Sequence, residues 1–168
     1  GPDGAEIECF PMPADDQFAE IFRSSCRRPA SDEELAKVDA YRVNIGLCGP
    51  GGSPAAALAM MRAGAALVGA GGAGGFIYNS GLAHGGGDWV EMAEDGSSDA
   101  LSFAFVGIVA GPREVWTMGM HVMGLPDLVM RSSDVDEEGE TIVEIIRYVC
   151  SGEKPFGEGH VIVDLQGP

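Results

Sequence analysis

A histidine and an aspartate lie close together in a glycine-rich segment, and their side chains are the first candidates for chemistry. Segment 79–89 contains His84, Asp88 and Trp89 within a stretch of small and polar residues. Imidazole and carboxylate groups form acid/base pairs and bind metal ions, and a flexible loop of this kind can close as a lid over a small molecule. Two ligands do not define a metal site, however. The alternative is a surface histidine beside a glycine hinge, with Trp89 anchoring a short helix on the core.

A second candidate side chain is His121, in the methionine-rich segment 115–131. As a strand, this segment places Met118 and Met120 on one face and His121 and Met123 on the other, because side chains alternate. Thioether and imidazole groups bind Cu(I), and a lone histidine is a known type of haem ligand. Methionine in a buried strand is usually core filler, so we expect core packing, with no metal ion and no cofactor.

The cysteines and the glycine-rich turns lack the spacing of catalytic or cofactor-binding motifs. The four cysteines form no Cys-x-x-Cys pair, so we expect reduced thiols. Segment 48–54 joins a predicted strand to a helix, but the Lys-Ser/Thr pair of a phosphate-binding loop does not follow it. Segment 69–74 matches Gly-x-Gly-x-x-Gly but follows a predicted helix, which indicates a helix end. The balance of these observations is against an enzyme.

The charge of the chain excludes two classes of partner. Its 26 acidic and 10 basic residues give a formal net charge of −16, and Lys37 and Lys154 are the only lysines. Nucleic acids and anionic membranes are bound by clustered Lys and Arg, so we expect neither as a partner. The apolar runs are interrupted well before the roughly 18 residues that a membrane span needs, and no secretory signal is recognisable. We therefore expect a soluble, cytoplasmic protein.

Residues 1–39 are predicted as an N-terminal extension with short helices, and residues 40–168 as an α+β domain. In the extension, Ser31 and Glu34 have the spacing of a capping box, in which the two side chains bond reciprocally to backbone N–H groups. This spacing places the start of a helix at residue 32.

The periodicity after residue 40 predicts alternating strands and helices around one central hairpin. The predicted elements are a strand at 40–47, a helix at 54–69, a strand at 76–78, a hairpin of 101–110 with 115–131, a helix around 142–149 and a strand at 160–165. This order approaches the split βαβ, or ferredoxin-like, arrangement, in which helices cover one face of an antiparallel sheet. The hairpin is apolar on both faces, so its outer face needs cover from the N-terminal helix, a protein partner or a second copy.

Two motifs in the methionine-rich segment also suggest a family. Trp-Thr-x-Gly at 116–119 precedes Gly-Leu-Pro-Asp at 124–127, and both follow the segments at 41–45 and 75–81. In this order, the segments resemble domain-of-unknown-function family 4261 over roughly Tyr41 to Leu165. The resemblance implies one α+β domain. It assigns no site residue, because no activity or catalytic residue is established for that family.

The sequence therefore favours a non-catalytic protein-interaction or regulatory domain. Its contact surface would be the apolar sheet face, bound to a protein partner or to a second copy. The alternative is a small-molecule-binding protein or enzyme with segment 79–89 as a lid. In that alternative, His84, Asp88, Trp89 and His121 are the candidate contacts, and they must converge in space.

Overall fold

Capping and stop signals define the ends of the helices in the computed structural model, which describes residues 6–134 and 139–152. Ser31 and Glu34 form the complete capping box, and the side chain of Ser53 caps the helix that begins at Pro54. Gly152 adopts the left-handed conformation and ends the last helix. These three local predictions are confirmed. The helices are α1 (Phe18–Ser25), α2 (Asp32–Ala40), α3 (Pro54–Gly69), α4 (Gly86–Asp95), α5 (Ser98–Phe105) and α6 (Glu140–Ser151).

The strands form three small antiparallel sheets. The strands are β1 (Glu8–Pro13), β2 (Val43–Cys48), β3 (Gly74–Ile77), β4 (Leu82–Gly85), β5 (Gly107–Ala110), β6 (Glu114–Met118) and β7 (Val129–Arg131). β1 pairs with β2, β3 pairs with β4, and the third sheet has the order β5-β6-β7. The α+β class is confirmed. The described residues do not confirm the ferredoxin-like arrangement, because their strands belong to three sheets rather than one. The predicted strand at 160–165 lies outside the described residues.

The strand predicted over 101–110 is wrong in its first half, where the chain forms α5. Ser97 caps this helix by accepting a hydrogen bond from the backbone N–H of Ala100. Leu101, Ala104 and Phe105 are buried at i, i+3 and i+4. A continuous apolar run reads the same in a buried helix and in a buried strand, so periodicity alone could not separate them. The predicted hairpin is real but shorter, formed by β5 and β6.

The methionine-rich segment is not one strand. β6 ends at Met118, and Met120–Met123 forms a 3₁₀ turn between Gly119 and Gly124, which have positive φ values of 107° and 81°. The proposed alternation of methionine and histidine along a strand is therefore wrong. The first and last residues of the turn are buried in the core, as expected for methionine, whereas His121 is exposed.

Segment 79–89 does not form the predicted flexible lid. β4 and the first turn of α4 occupy most of it, and β3 pairs with β4 along its whole length. His84 and Trp89 are both buried. A buried strand followed directly by a packed helix leaves no free loop here, so the surface histidine beside a glycine hinge is also wrong. Trp89 does anchor a short helix on the core.

The first 39 residues contribute a strand as well as two helices. β1 pairs with all of β2, from Glu8 opposite Cys48 to Pro13 opposite Val43. Phe22 of α1 lies in a small core with Ala83 of β4. The larger core lies between helices α3, α4, α5 and α6 and the inner side of β6. The N-terminal segment thus packs directly against β2 and β4, which both lie beyond the predicted boundary at residue 40.

Candidate functional site

His84 lies fully buried at the centre of the predicted site. Its Nε2 is 3.1 Å from the carbonyl oxygen of Ala104, and Nδ1 has no hydrogen-bond partner in the described part of the chain. The ring packs between Trp89 and Phe103, with centroid distances of 5.8 and 5.9 Å. Burial lowers the pKa of His84 and outweighs the opposing effect of the bond to Ala104. The imidazole is therefore neutral at pH 7, donates from Nε2 and leaves Nδ1 as a bare acceptor.

Two arginines cover this histidine and its aromatic neighbour. The guanidinium carbons of Arg27 and Arg28 each lie 4.8 Å from the ring centroid of Phe103. Arg27 also donates a 2.7 Å hydrogen bond from Nη1 to the carbonyl oxygen of Phe103, and Arg28 lies 3.8 Å from a carboxylate oxygen of Asp88. Stacked guanidinium groups of this kind seal an aromatic surface from water. Asp88 thus lies near His84, as one part of a packed cover.

The glycines after His84 position a carboxylate at the start of α4. Glu34 accepts a 2.8 Å hydrogen bond from the backbone N–H of Gly87, and a Cβ at Gly85 would lie 2.7 Å from that carboxylate. Burial raises the pKa of Glu34, but the hydrogen bonds accepted from Gly87, Ser31 and Gly86 outweigh it, so the pKa lies below its ordinary value. The glycine run therefore lets an internal anion cap the helix. Sequence reasoning found the capping box but not this second role of Glu34.

His121 belongs to a different cluster. Its Nε2 lies 3.2 Å from the side-chain nitrogen of Asn79, and its Nδ1 lies 4.0 Å from a carboxylate oxygen of Asp127. No hydrogen bond or ring contact joins His121 to His84 within residues 6–134 and 139–152. The candidate residues thus form two groups, with His84, Asp88 and Trp89 in one and His121 in the other.

Asp127 connects the two motifs of the methionine-rich segment. Its Oδ1 accepts hydrogen bonds from the hydroxyl of Thr117 at 3.2 Å and from the backbone N–H of Met120 at 3.1 Å. The hydroxyl of Thr117 in turn accepts a 2.8 Å bond from the backbone N–H of Leu128. The hydroxyl of Thr117 and the backbone N–H groups of Met120 and Leu128 therefore all have partners, and the motif residues stabilise the turn between β6 and β7.

The cysteines do not complete a nucleophilic site. Cys150 is buried, and burial raises the pKa of its thiol to about 11, with Asp99 adding to the effect. The thiol is therefore protonated at neutral pH, which removes the reactive thiolate. Cys9 and Cys48 are exposed on opposite strands of the β1–β2 sheet, and neither has a hydrogen bond to a histidine among the described residues.

The outer face of the β5–β6–β7 sheet is apolar and exposed. In β6, Val115 and Thr117 point inward and are 7% and 1% exposed, whereas Trp116 and Met118 point outward and are 36% and 39% exposed. Val129 of β7 lies opposite Trp116 and is 65% exposed. We call Trp116, Met118 and Val129 the outer apolar face. The alternating burial confirms that the hairpin has an inner core side and a free apolar side.

Comparison with known proteins gives no family assignment for this chain. No family model, curated protein or solved structure matches the chain. The resemblance to domain-of-unknown-function family 4261 therefore stays a prediction.

Within the two described ranges, no three His, Cys, Asp or Glu side chains group closely enough to hold a metal ion. None of the described helices combines the length and apolar character required to cross a bilayer.

Proposed function

We propose that this protein is a non-catalytic interaction domain that binds a protein partner through the outer apolar face. One observation carries the proposal: Trp116 and Val129 lie opposite each other on neighbouring strands, and both side chains are exposed. Met118 extends the same face along β6. An exposed apolar cluster on a regular sheet is typical of interaction surfaces, and tryptophan is often the residue that contributes most to binding.

The surroundings of this face match the layout of a protein interface. Glu114 and Arg131 lie opposite each other at one end of the β6–β7 pair and provide a polar edge beside the apolar centre. The N-terminal helix does not cover the face, because Phe22 of α1 packs with Ala83 of β4. The sequence suggested the N-terminal helix, a protein partner or a second copy as the cover of this face. The last two of these are the candidates that we consider.

Charge favours a different protein over a second copy. Two chains with a formal net charge of −16 repel each other as they approach, whereas basic residues around a partner's apolar patch would be attracted. We therefore infer a partner with an apolar contact patch and a basic rim.

The candidate polar residues support a binding role more than a catalytic one. His84 is neutral and buried behind Arg27 and Phe103, and His121 has an amide and a carboxylate as neighbours but no nucleophile. Catalysis by either histidine requires contact with a reacting group. The packed positions of His84 and Trp89 argue against the lid form of a small-molecule site.

Site-specific photo-crosslinking tests the proposal directly. A photoreactive residue at position 118 should give one discrete adduct in cells that naturally make the protein. The adduct should disappear when Trp116→Ser and Val129→Ser are added. It should persist with the control Ile21→Ser, which changes an exposed apolar residue of α1. An adduct of twice the chain mass would indicate self-association, and the absence of any adduct would contradict the interaction domain.

A further inference from the structure

A cleft of about 510 Å³ lies between α3 and the β1–β2 sheet, away from the outer apolar face. Its lining is apolar except for Cys9 and Arg62, and its larger apolar members are Ile7, Leu47, Leu58 and Leu67. This volume falls in the range of roughly 300–1,000 Å³ that small-molecule sites occupy, and such sites usually combine apolar walls with few polar groups.

The cleft exists because α3 presents alanines to the sheet. Ala55, Ala59, Ala63 and Ala66 line it from the helix side. Cys9 and Leu47 line it from the sheet side and lie directly opposite each other on β1 and β2, so they share one face. Methyl groups do not reach across to the strands, and the gap stays open. A helix with larger residues at these positions would close it.

Arg62 is the charged residue of this cleft, and its guanidinium has no acidic partner. Among the described residues, three arginines form ion pairs: Arg23 with Asp39, Arg28 with Asp88 and Arg147 with Asp99. No salt bridge or hydrogen bond involves the Arg62 side chain within residues 6–134 and 139–152. The Arg62 side chain is exposed, so its guanidinium donors are open to an anionic group of a molecule that lies along the apolar walls.

We propose that the cleft binds a medium-chain monocarboxylate, with the acyl chain between α3 and the β1–β2 sheet and the carboxylate on Arg62. The apolar walls would remove the acyl chain from water, which favours binding in proportion to the apolar area that is buried. The planar guanidinium matches a carboxylate with two parallel hydrogen bonds. This site is independent of the outer apolar face, so either proposal can fail without the other.

Calorimetric titration with decanoate, below its micelle concentration, tests the site on the full chain. We expect saturable binding of one decanoate per chain. Arg62→Gln should weaken decanoate binding about tenfold or more, because the charged hydrogen bonds are lost. The control Arg113→Gln, an exposed arginine outside the cleft, should leave binding unchanged. Decanol should bind more weakly than decanoate and equally to the wild type and Arg62→Gln.

A second variant tests the location of the acyl chain. Ala63→Leu places a larger side chain into the cleft and should abolish decanoate binding, while circular dichroism checks that the fold is kept. Equal decanoate affinity in the wild type and Arg62→Gln would overturn the proposal, as would full binding to a folded Ala63→Leu variant. The absence of saturable decanoate binding to the wild type up to about 1 mM would overturn it as well.

Discussion

The indole Nε1 of Trp89 donates a 2.9 Å hydrogen bond to the carbonyl oxygen of Met61, and this contact joins α4 to α3. The approach is close because Gly64 has no side chain. A Cβ at that position would lie 2.7 Å from Nε1 of Trp89. The buried N–H of the tryptophan therefore has a partner only while α3 leaves this gap.

Gly64→Ala should destabilise the protein although alanine favours the helix. The added methyl group forces the indole away from α3, and overpacking of this kind costs about 1–3 kcal/mol against a helix gain of up to about 1 kcal/mol. Gly69→Ala is the matched control, since nothing lies within 4 Å of a Cβ there. Urea unfolding should show that the Gly64 variant is less stable than the Gly69 variant. Equal stabilities would mean that the indole contact is not tight.

Folding stability should fall as the pH drops below about 6.5, because of His84. Burial lowers the pKa of this histidine in the folded state, so the unfolded chain binds more protons below the ordinary pKa of 6.5. The contribution of His84 to the free energy of unfolding is therefore fully present above pH 6.5, and it is lost as the pH decreases toward the folded pKa. His84→Gln should flatten the free energy of unfolding between about pH 5 and pH 7.

His121→Gln is the control for this pH effect. Its side chain is exposed, and the variant retains His84 and the same acidic groups. The free energy of unfolding of His121→Gln should therefore depend on pH in the same way as that of the wild type. If the free energy of unfolding of His84→Gln falls with pH as steeply as that of the wild type, other groups cause the loss of stability.

Glu34→Gln should lower the stability at neutral pH by about 1 kcal/mol, the typical value of a helix cap. The glutamine keeps a hydrogen-bond acceptor but loses the negative charge at the start of α4. Because the folded pKa of Glu34 lies below the ordinary 4.5, the stabilisation is present above that pH and disappears as the pH falls through the folded pKa. The difference from wild type should shrink accordingly in acid unfolding experiments.

The control is Glu33→Gln, which removes the charge of an exposed neighbour that pairs with Lys37. Surface pairs of this type contribute between zero and about 1 kcal/mol, so we expect a smaller change. A larger loss for Glu33→Gln than for Glu34→Gln would contradict the cap on α4.

Thr117 and Asp127 should be energetically coupled. Asp127→Ala leaves the buried hydroxyl of Thr117 and the N–H of Met120 without their acceptor, which costs about 1–3 kcal/mol. Thr117→Val removes the hydroxyl group that donates a hydrogen bond to Asp127. A double-mutant cycle on urea unfolding should give an interaction energy of about 0.5–3 kcal/mol. Strict additivity of the two single changes would show that the motifs do not cooperate.

Local interactions made parts of the fold predictable. The capping box of Ser31 and Glu34, the Ser53 cap and the Gly152 stop each involve residues within a few positions of one another. The energy of such an interaction depends on a few backbone angles, so residue type and spacing are sufficient to identify it.

The pairing of strands that are distant in the sequence could not be predicted. β1 contains Pro11 and Pro13, which argue against a strand, yet it pairs with β2 across more than 25 intervening residues. A strand in a two-stranded sheet tolerates proline because one edge needs no ladder hydrogen bonds. The cleft beside α3 depends on this pairing and could not be predicted without it.

The sequence by itself determined the acidic charge, the α+β class, the starts of α2 and α3, the end of α6 and the apolar outer side of the hairpin, since these follow from composition, spacing and periodicity. The tertiary structure decided the environment of each histidine. His84 became a neutral core residue because α5 and Arg27 pack over it, and His121 was exposed because Gly119 turns the chain after β6. Burial and charge at a given side chain are set by elements distant in sequence, and these two quantities decide what chemistry it can do.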